Sequence, residues 1–398
     1  MRVLLTALLF LSASAFAQVA IQGKKIYTMA GEVIENGTII LRDGKIEKLG
    51  PSGQVTIPDG AEVYEAEIVT PGLVDAHTVV GLAGYLNQDQ DQDQLEKSGP
   101  IQPELRAIDA YNAREFLVGW LREHGVTTIH TGHGPGALVS GQTLIAKTAG
   151  ETVDEAVIVP EAMIAVNLGR GGMGKKTPGT RAKQIAMLRA ELIKAQEYAA
   201  KHAKAEAGKE PARNLRMEIL VRALEGKVRF MVYADRAQDI ISAMRLAKEF
   251  GLDLVLDSAA EVYLVADQVK QAGIPVILHP TMKRTRGDSE NLSMGTAANL
   301  EKLGIPFALQ SGFEGYVPKT RVVLFEAAIA ARFGLAPEKA LASITIDAAR
   351  ILGVDDRVGS LEVGKDADLV LFDGDPFEYT SHVTGVFING HLVSDKQR

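Results

Sequence analysis

The sequence predicts an α/β fold, a parallel TIM-type (β/α)8 barrel with β-rich segments at both chain ends. Three observations carry this. Short apolar, β-branched runs alternate with longer amphipathic runs through the middle of the chain. Hairpin-like runs sit before and after that middle. At 398 residues and 46% hydrophobic composition, the chain exceeds the usual single-core size and has room for one large domain and a smaller one.

Near the N-terminus, Thr38–Leu41 and Ile46–Leu49 are β-type runs separated by Arg42-Asp43-Gly44-Lys45, an Asp-Gly hairpin signal. In the middle, Val126–His130 reads as a strand and Arg181–Ala207 as a long Ala-rich helix. Strands at Val228–Ala234, Leu252–Leu256, Ile274–Leu278 and Pro306–Leu309 follow. Helices at Ala237–Phe250, Glu261–Gln271, Ala297–Leu303 and Thr320–Phe333 separate and close them. Repeated βα units make a parallel sheet covered by helices. Spread over roughly 280 residues they suit an eight-stranded barrel. A doubly wound open sheet is the alternative, but no G-x-G-x-x-G follows a strand. Near the C-terminus, Ala367–Phe372 and Gly385–Gly390 return to the β style.

The formal net charge of -7, without any Lys/Arg-rich run, argues against nucleic-acid binding. With no cysteine, any metal must be held by His, carboxylate or water. Met1-Arg2, the apolar or small run Val3–Ala17 and Ala15-Phe16-Ala17 read as a signal peptide cleaved after Ala17. That predicts a periplasmic or secreted protein with no integral membrane segment after cleavage. The run Asn87–Gln94 alternates Gln with Asp and reads as a solvated loop.

Pro71-Gly72-Leu73-Val74-Asp75-Ala76-His77 resembles the strand-ending signature P-G-[LFI]-[IV]-D-x-H-x-H of the amidohydrolase superfamily. Gly359–Val370 is similar to that family's G-x-[IL]-x-x-G-x-x-A-D-[LI]-[VA] run, and Ile344–Gly353 to its T-x-N-x-A-x-x-L-G helix. The resemblance is closest to the imidazolonepropionase-like branch. It implies a (β/α)8 barrel over residues 71–355. It also implies a small composite β-sandwich from residues 18–70 and 356–398, behind a signal peptide at 1–17. The implied activity is hydrolysis of a non-peptide carbon–nitrogen bond, in a cyclic amide or related small molecule, by water activated on a divalent metal, zinc first.

In that family two strand 1 histidines, a strand 4 bridge, histidines on strands 5 and 6 and a strand 8 aspartate hold the metal. Here His77 matches the first, but the second falls on Val79. Strand 5 ends in Tyr233-Ala234-Asp235, strand 6 in Asp257-Ser258 and strand 8 in Gln310-Ser311. A rearranged metal set would draw on His77, His130, His133 and His279, with Asp235 or Asp257 as base. Arg236, Lys283 and Tyr316, at strand ends with Arg284, Glu314 and Lys319, would meet a substrate carboxylate or oxyanion. The plainer readings are histidines hydrogen-bonded within loops and a solvated polar rim. The expected partner is a small-molecule substrate, and a homo-oligomer is compatible with the sequence. A catalytically inactive small-ligand-binding protein on the same scaffold is the alternative function.

Overall fold

The computed structural model describes residues 18–86, 88–174, 178–206, 208–313 and 322–398. The signal-like segment and Tyr316, Glu314 and Lys319 lie outside them. From the N-terminus come β1 (Val19–Ile26), β2 (Ile34–Arg42), β3 (Lys45–Pro51) and β4 (Glu62–Pro71). Then follow β5 (Leu73–Thr78), α1 (Phe116–Glu123), β6 (Val126–Thr131), β7 (Val139–Gln142), β8 (Leu144–Lys147), α2 (Val153–Ala156), β9 (Val157–Val159) and β10 (Met163–Asn167). The central series is α3 (Arg181–Ala203), α4 (Leu215–Leu224), β11 (Arg229–Tyr233), α5 (Ala237–Phe250), β12 (Leu254–Ser258), α6 (Ala266–Ala272), β13 (Val276–Leu278), α7 (Thr296–Leu303) and β14 (Phe307–Leu309). Helices α8 (Val323–Arg332), α9 (Pro337–Ser343) and α10 (Ile346–Leu352) lead to β15 (Leu369–Phe372), β16 (Val383–Ile388) and β17 (His391–Ser394).

Both chain ends enter one seven-stranded sheet, ordered β17-β16-β15-β4-β1-β2-β3. The ladder is continuous, rather than two separate facing sheets, because β4 pairs parallel with β1 and antiparallel with β15. The Asp-Gly signal closes β2 onto β3: Asp43 and Gly44 take φ of 50° and 77°, the left-handed pair of a type I′ turn. Ile21, Ile39, Val69, Leu369 and Phe387 bury the core against this sheet.

The middle is mixed α/β. Strands β10 to β14 run parallel in a six-stranded sheet ordered β14-β13-β12-β11-β10-β7, and β5 and β6 run parallel in a four-stranded one. A parallel bridge, Thr78 to Gly312, links the end of β5 to the residues just after β14. On the other flank Thr143, between β7 and β8, bonds Met163 and Ala162 through its backbone. The β7–β10 stretch was not anticipated, because its strands are short and interrupted by Gly, Thr and Pro. The helix expected at 261–271 is broken at Val265 (φ -130°) into a 3-10 turn and α6.

Strand periodicity explains where polar groups collect. On neighbouring strands Met231, Val255, Ile277 and Ala308 share one apolar cluster with Ala348, Ile351 and Leu352 of α10. Two residues further on come Tyr233 and Asp257, on the same face of their strands, and His279 and Gln310, each just past its strand's end. Helix α10 therefore covers one end of this strand face with hydrocarbon, and the strands' C-terminal ends carry the polar groups.

A buried ion pair ties the two regions together. Lys147 Nζ, at the end of β8, lies 2.7 Å from Asp366 Oδ2 and 2.9 Å from Asp368 Oδ2, and donates to Asn389 Oδ1 at 2.5 Å. The Asp366-Ala367-Asp368 motif thus has a structural role here.

Candidate active site at the strand ends

At the end of β5, His77 Nδ1 lies 3.1 Å from Asp257 Oδ2 of β12, both residues buried. Gln310 Nε2 donates to the other Asp257 oxygen at 2.7 Å and to the Ile277 carbonyl at 3.1 Å. The second bond fixes the amide orientation, so Asp257 is held with one oxygen toward the imidazole. Burial works against a charged His77, but the Asp257 carboxylate outweighs it and raises the pKa above the ordinary value. Both ring nitrogens of His77 are buried: Nδ1 meets Asp257 as a close ion-pair contact without full hydrogen-bond geometry, and Nε2 has no hydrogen-bond partner among the described residues. Asp75 accepts from Ser311 N (3.0 Å), from Ser311 Oγ and from His77 N (3.3 Å). It is a structural brace between β5 and the chain after β14, and burial pushes its carboxyl up to about 6.

A second network adjoins it through Ser258, the residue after Asp257. Lys283 Nζ donates to Tyr233 Oη (2.7 Å), Ser258 Oγ (3.0 Å) and Asp235 Oδ2 (3.1 Å). Asp235 also accepts from Tyr233 Oη (2.7 Å), Ser258 Oγ (2.6 Å) and Ala260 N (3.3 Å). Burial alone would raise the Asp235 carboxyl, but the Lys283 ammonium outweighs burial and holds it below the usual range. With four donors around it, Asp235 is a counter-ion rather than the expected base. Ser258 and Ala259 take φ of 65° and 52°, and such consecutive left-handed non-glycine residues mark strain of the kind found at functional sites.

The other expected residues separate. His130 has both ring nitrogens occupied, Nδ1 at 2.7 Å from the Ala76 carbonyl and Nε2 at 2.6 Å from Thr143 Oγ1. Its ring centroid is 5.8 Å from that of His77, and burial pushes its pKa to about 3. It is a hydrogen-bonded core histidine. His133 is buried against Gly141 with both nitrogens unpartnered among the described residues, and burial lowers it to about 4. His279 lies 3.0 Å through Nδ1 from the Pro280 carbonyl, its Nε2 is unpartnered among the described residues, and burial lowers it to about 4. Arg236 faces away into carboxylates: it bonds Glu261 (2.8 Å), Glu290 (2.7 Å) and the Gly287 carbonyl. That guanidinium is committed to the fold and does not await a substrate anion.

The donor set does not fit the divalent metal implied by the sequence motifs. Val79 is apolar and fully buried, and Tyr233 and Gln310 stand at two other ligand positions. Among the described residues no three His, Asp or Glu side chains converge as a metal-holding group, so the expected set His77, His130, His133 and His279 is not assembled. Thr143, which accepts or donates to His130, had no signal in the sequence. Gln310 and Ser311 were visible only as departures from the motif.

An α/β middle with polar strand ends, joined to a sheet made from both chain ends, is the architecture of a known class. The model of the amidohydrolase family matches residues 68–393, and the chain belongs to that family, in its imidazolonepropionase-like branch. It is 26% identical over 380 residues to an imidazolonepropionase from Rhizorhabdus wittichii, covering 88% of this chain and 92% of that one. A Fusobacterium nucleatum imidazolonepropionase is 24% identical over 405 residues, covering 92% and 93%. The crystal structure of an amidohydrolase from Thermotoga maritima superposes with a TM-score of 0.90 at 30% identity, covering 95% of this chain and all of that one. No helix among the described residues is long and apolar enough to cross a membrane.

Proposed function

We propose that this protein hydrolyses a non-peptide carbon–nitrogen bond in a small molecule, a cyclic amide or close relative, with His77 as general base. The observation that carries the proposal is the buried His77–Asp257 pair, locked by Gln310, with Nε2 left unpartnered. Asp257 favours the tautomer with the proton on Nδ1, which leaves Nε2 as the acceptor. Nε2 takes a proton from water, and the hydroxide oxygen bonds to the substrate carbonyl carbon. The imidazolium then returns the proton to the nitrogen as the carbon–nitrogen bond breaks, giving a carboxylate product and an amine or amide. The family's members use divalent metals, but these residues do not fit that ion set and no step here passes through one. The names of the related imidazolonepropionases support a ring substrate. The N-terminal composition supports export with cleavage after Ala17, and the flanking links between the two inner sheets support their closure as a barrel.

The test is turnover of a panel of cyclic amides, imidazolone-type rings and N-acyl amines, followed by mass spectrometry of the opened products. We expect turnover by the wild type and a loss of at least about 100-fold in His77→Gln. A ligand that raises Tm with no turnover of any panel member would instead support the inactive, ligand-binding reading.

A further inference from the structure

We infer that the ammonium of Lys283 is a built-in replacement for a metal ion: the strand ends hold a covalently supplied cation, and the site carries its positive charge without any divalent ion. The position is the first argument. Tyr233 and Ser258 stand at the ends of β11 and β12, the neighbouring strands whose ends would hold a metal in the family pattern. The coordination is the second. Three oxygens, Tyr233 Oη, Ser258 Oγ and Asp235 Oδ2, surround Nζ at 2.7, 3.0 and 3.1 Å, one for each N–H. These are hydrogen-bond lengths, longer than the 2.0–2.6 Å that oxygen ligands keep to magnesium or calcium. The nest is also fully assembled. The other Asp235 oxygen is filled by Ser258 Oγ and Ala260 N. Ser258 reaches both Asp235 and Lys283 from a left-handed backbone that a serine rarely adopts.

The lysine is delivered by a braced loop. After β13, Thr281 Oγ1 donates to the Glu326 carbonyl at 3.1 Å and Met282 N donates to Glu326 Oε2 at 3.0 Å, with Glu326 fully buried in α8. Lys283 N closes the turn on Pro280 O at 3.2 Å. Burial disfavours the ammonium, but Tyr233 and Asp235 outweigh it and keep the group charged. The strand ends therefore hold a cation, paired with Asp235, that no chelator removes.

The probes are zinc chloride and EDTA, with metal content and Tm as readouts, so the outcome does not depend on turnover or on the hydrolase proposal. Protein produced in zinc-supplemented medium should hold far less than one zinc per chain, and EDTA should leave Tm unchanged. Lys283→Met should lower Tm by several degrees, because Asp235 is then buried without its cation. Adding Asp235→Asn to that variant should recover most of the loss. One zinc per chain whose removal lowers Tm would overturn the inference, and so would a Lys283→Met protein as stable as the wild type. If Lys283→Met fails to accumulate, zinc content and EDTA response of the wild type still decide between the two.

Discussion

Replacing Asp257 by Asn separates charge from shape at the candidate base. Gln310 is pinned by the Ile277 carbonyl, so its N–H keeps pointing at the Oδ1 position of residue 257. The new amide must place its oxygen there to accept that bond. Its NH2 then faces His77 Nδ1, 3.1 Å away in the parent pair, and demands an acceptor. His77 is forced into the tautomer protonated on Nε2, which cannot take a proton from water. We expect a fall in kcat of about 10²–10⁴-fold, about 3–5 kcal/mol in the barrier, with little change in KM. The charge effect has a definite sign. In the wild type the His77 pKa is raised, so its imidazolium stabilises the fold fully below the unfolded value of about 6.5 and that contribution is lost as pH rises through the folded value. Asp257→Asn should remove this low-pH contribution and move the rising limb of kcat/KM to lower pH. Long-range ¹H–¹⁵N NMR of the imidazole reports the tautomer directly. A neutral wild-type His77, observed above its folded pKa, that carries its single proton on Nε2 would refute the reasoning before any substrate is found.

Three further outcomes follow from neighbouring features. Gly141→Ala should destabilise by about 1–3 kcal/mol in urea titrations: φ is 138°, and the new Cβ would lie 2.5 Å from His133 Cδ2 and 2.8 Å from the Leu105 carbonyl. Lys147→Met should cost about 3–5 kcal/mol by the same measurement, because Asp368 is buried with that ammonium as its ion-pair partner, while Asp366 keeps Lys45 and Arg357. His133 and His279 are buried with pKa values near 4, so the unfolded chain binds more protons between about 6.5 and 4, and stability should fall as pH drops through that window. A Tm–pH profile of His279→Gln should be flatter there than that of the wild type, and an unchanged slope would count against a neutral buried His279.

Much of the scaffold is legible because it depends on local chemistry. The Asp43-Gly44 turn, the full span of α5 and the alternation that sets Met231 beside Tyr233 on one strand face follow from turn preference and periodicity. The site is less legible because its partners are far apart in sequence. The sequence places His130 after a strand, where it looks like a ligand, but it cannot show that Ala76 and Thr143 already occupy both nitrogens. Arg236 likewise sits at a strand end, and only the fold brings Glu261 and Glu290 to it. Lys283 had a partial signal, since Tyr233 and Asp235 two residues apart present two oxygens at one strand end. The loop geometry that brings the ammonium between them needs α8 and its buried Glu326.

The seven-stranded sheet has a consequence for how the molecule is made. Strand β4 takes one edge partner, β1, from its own neighbourhood and the other, β15, from almost three hundred residues later. While the chain is being synthesised that second edge stays open, a row of unpaired backbone groups that invites a stray strand. The Lys147 ammonium waits 219 and 221 residues for Asp366 and Asp368. The last strands to leave the ribosome therefore seal the first ones, so assembly is slow and late by topology. A chain truncated before β15 would lack three of this sheet's seven strands and leave one edge of β4 open, and should depend on chaperones for solubility.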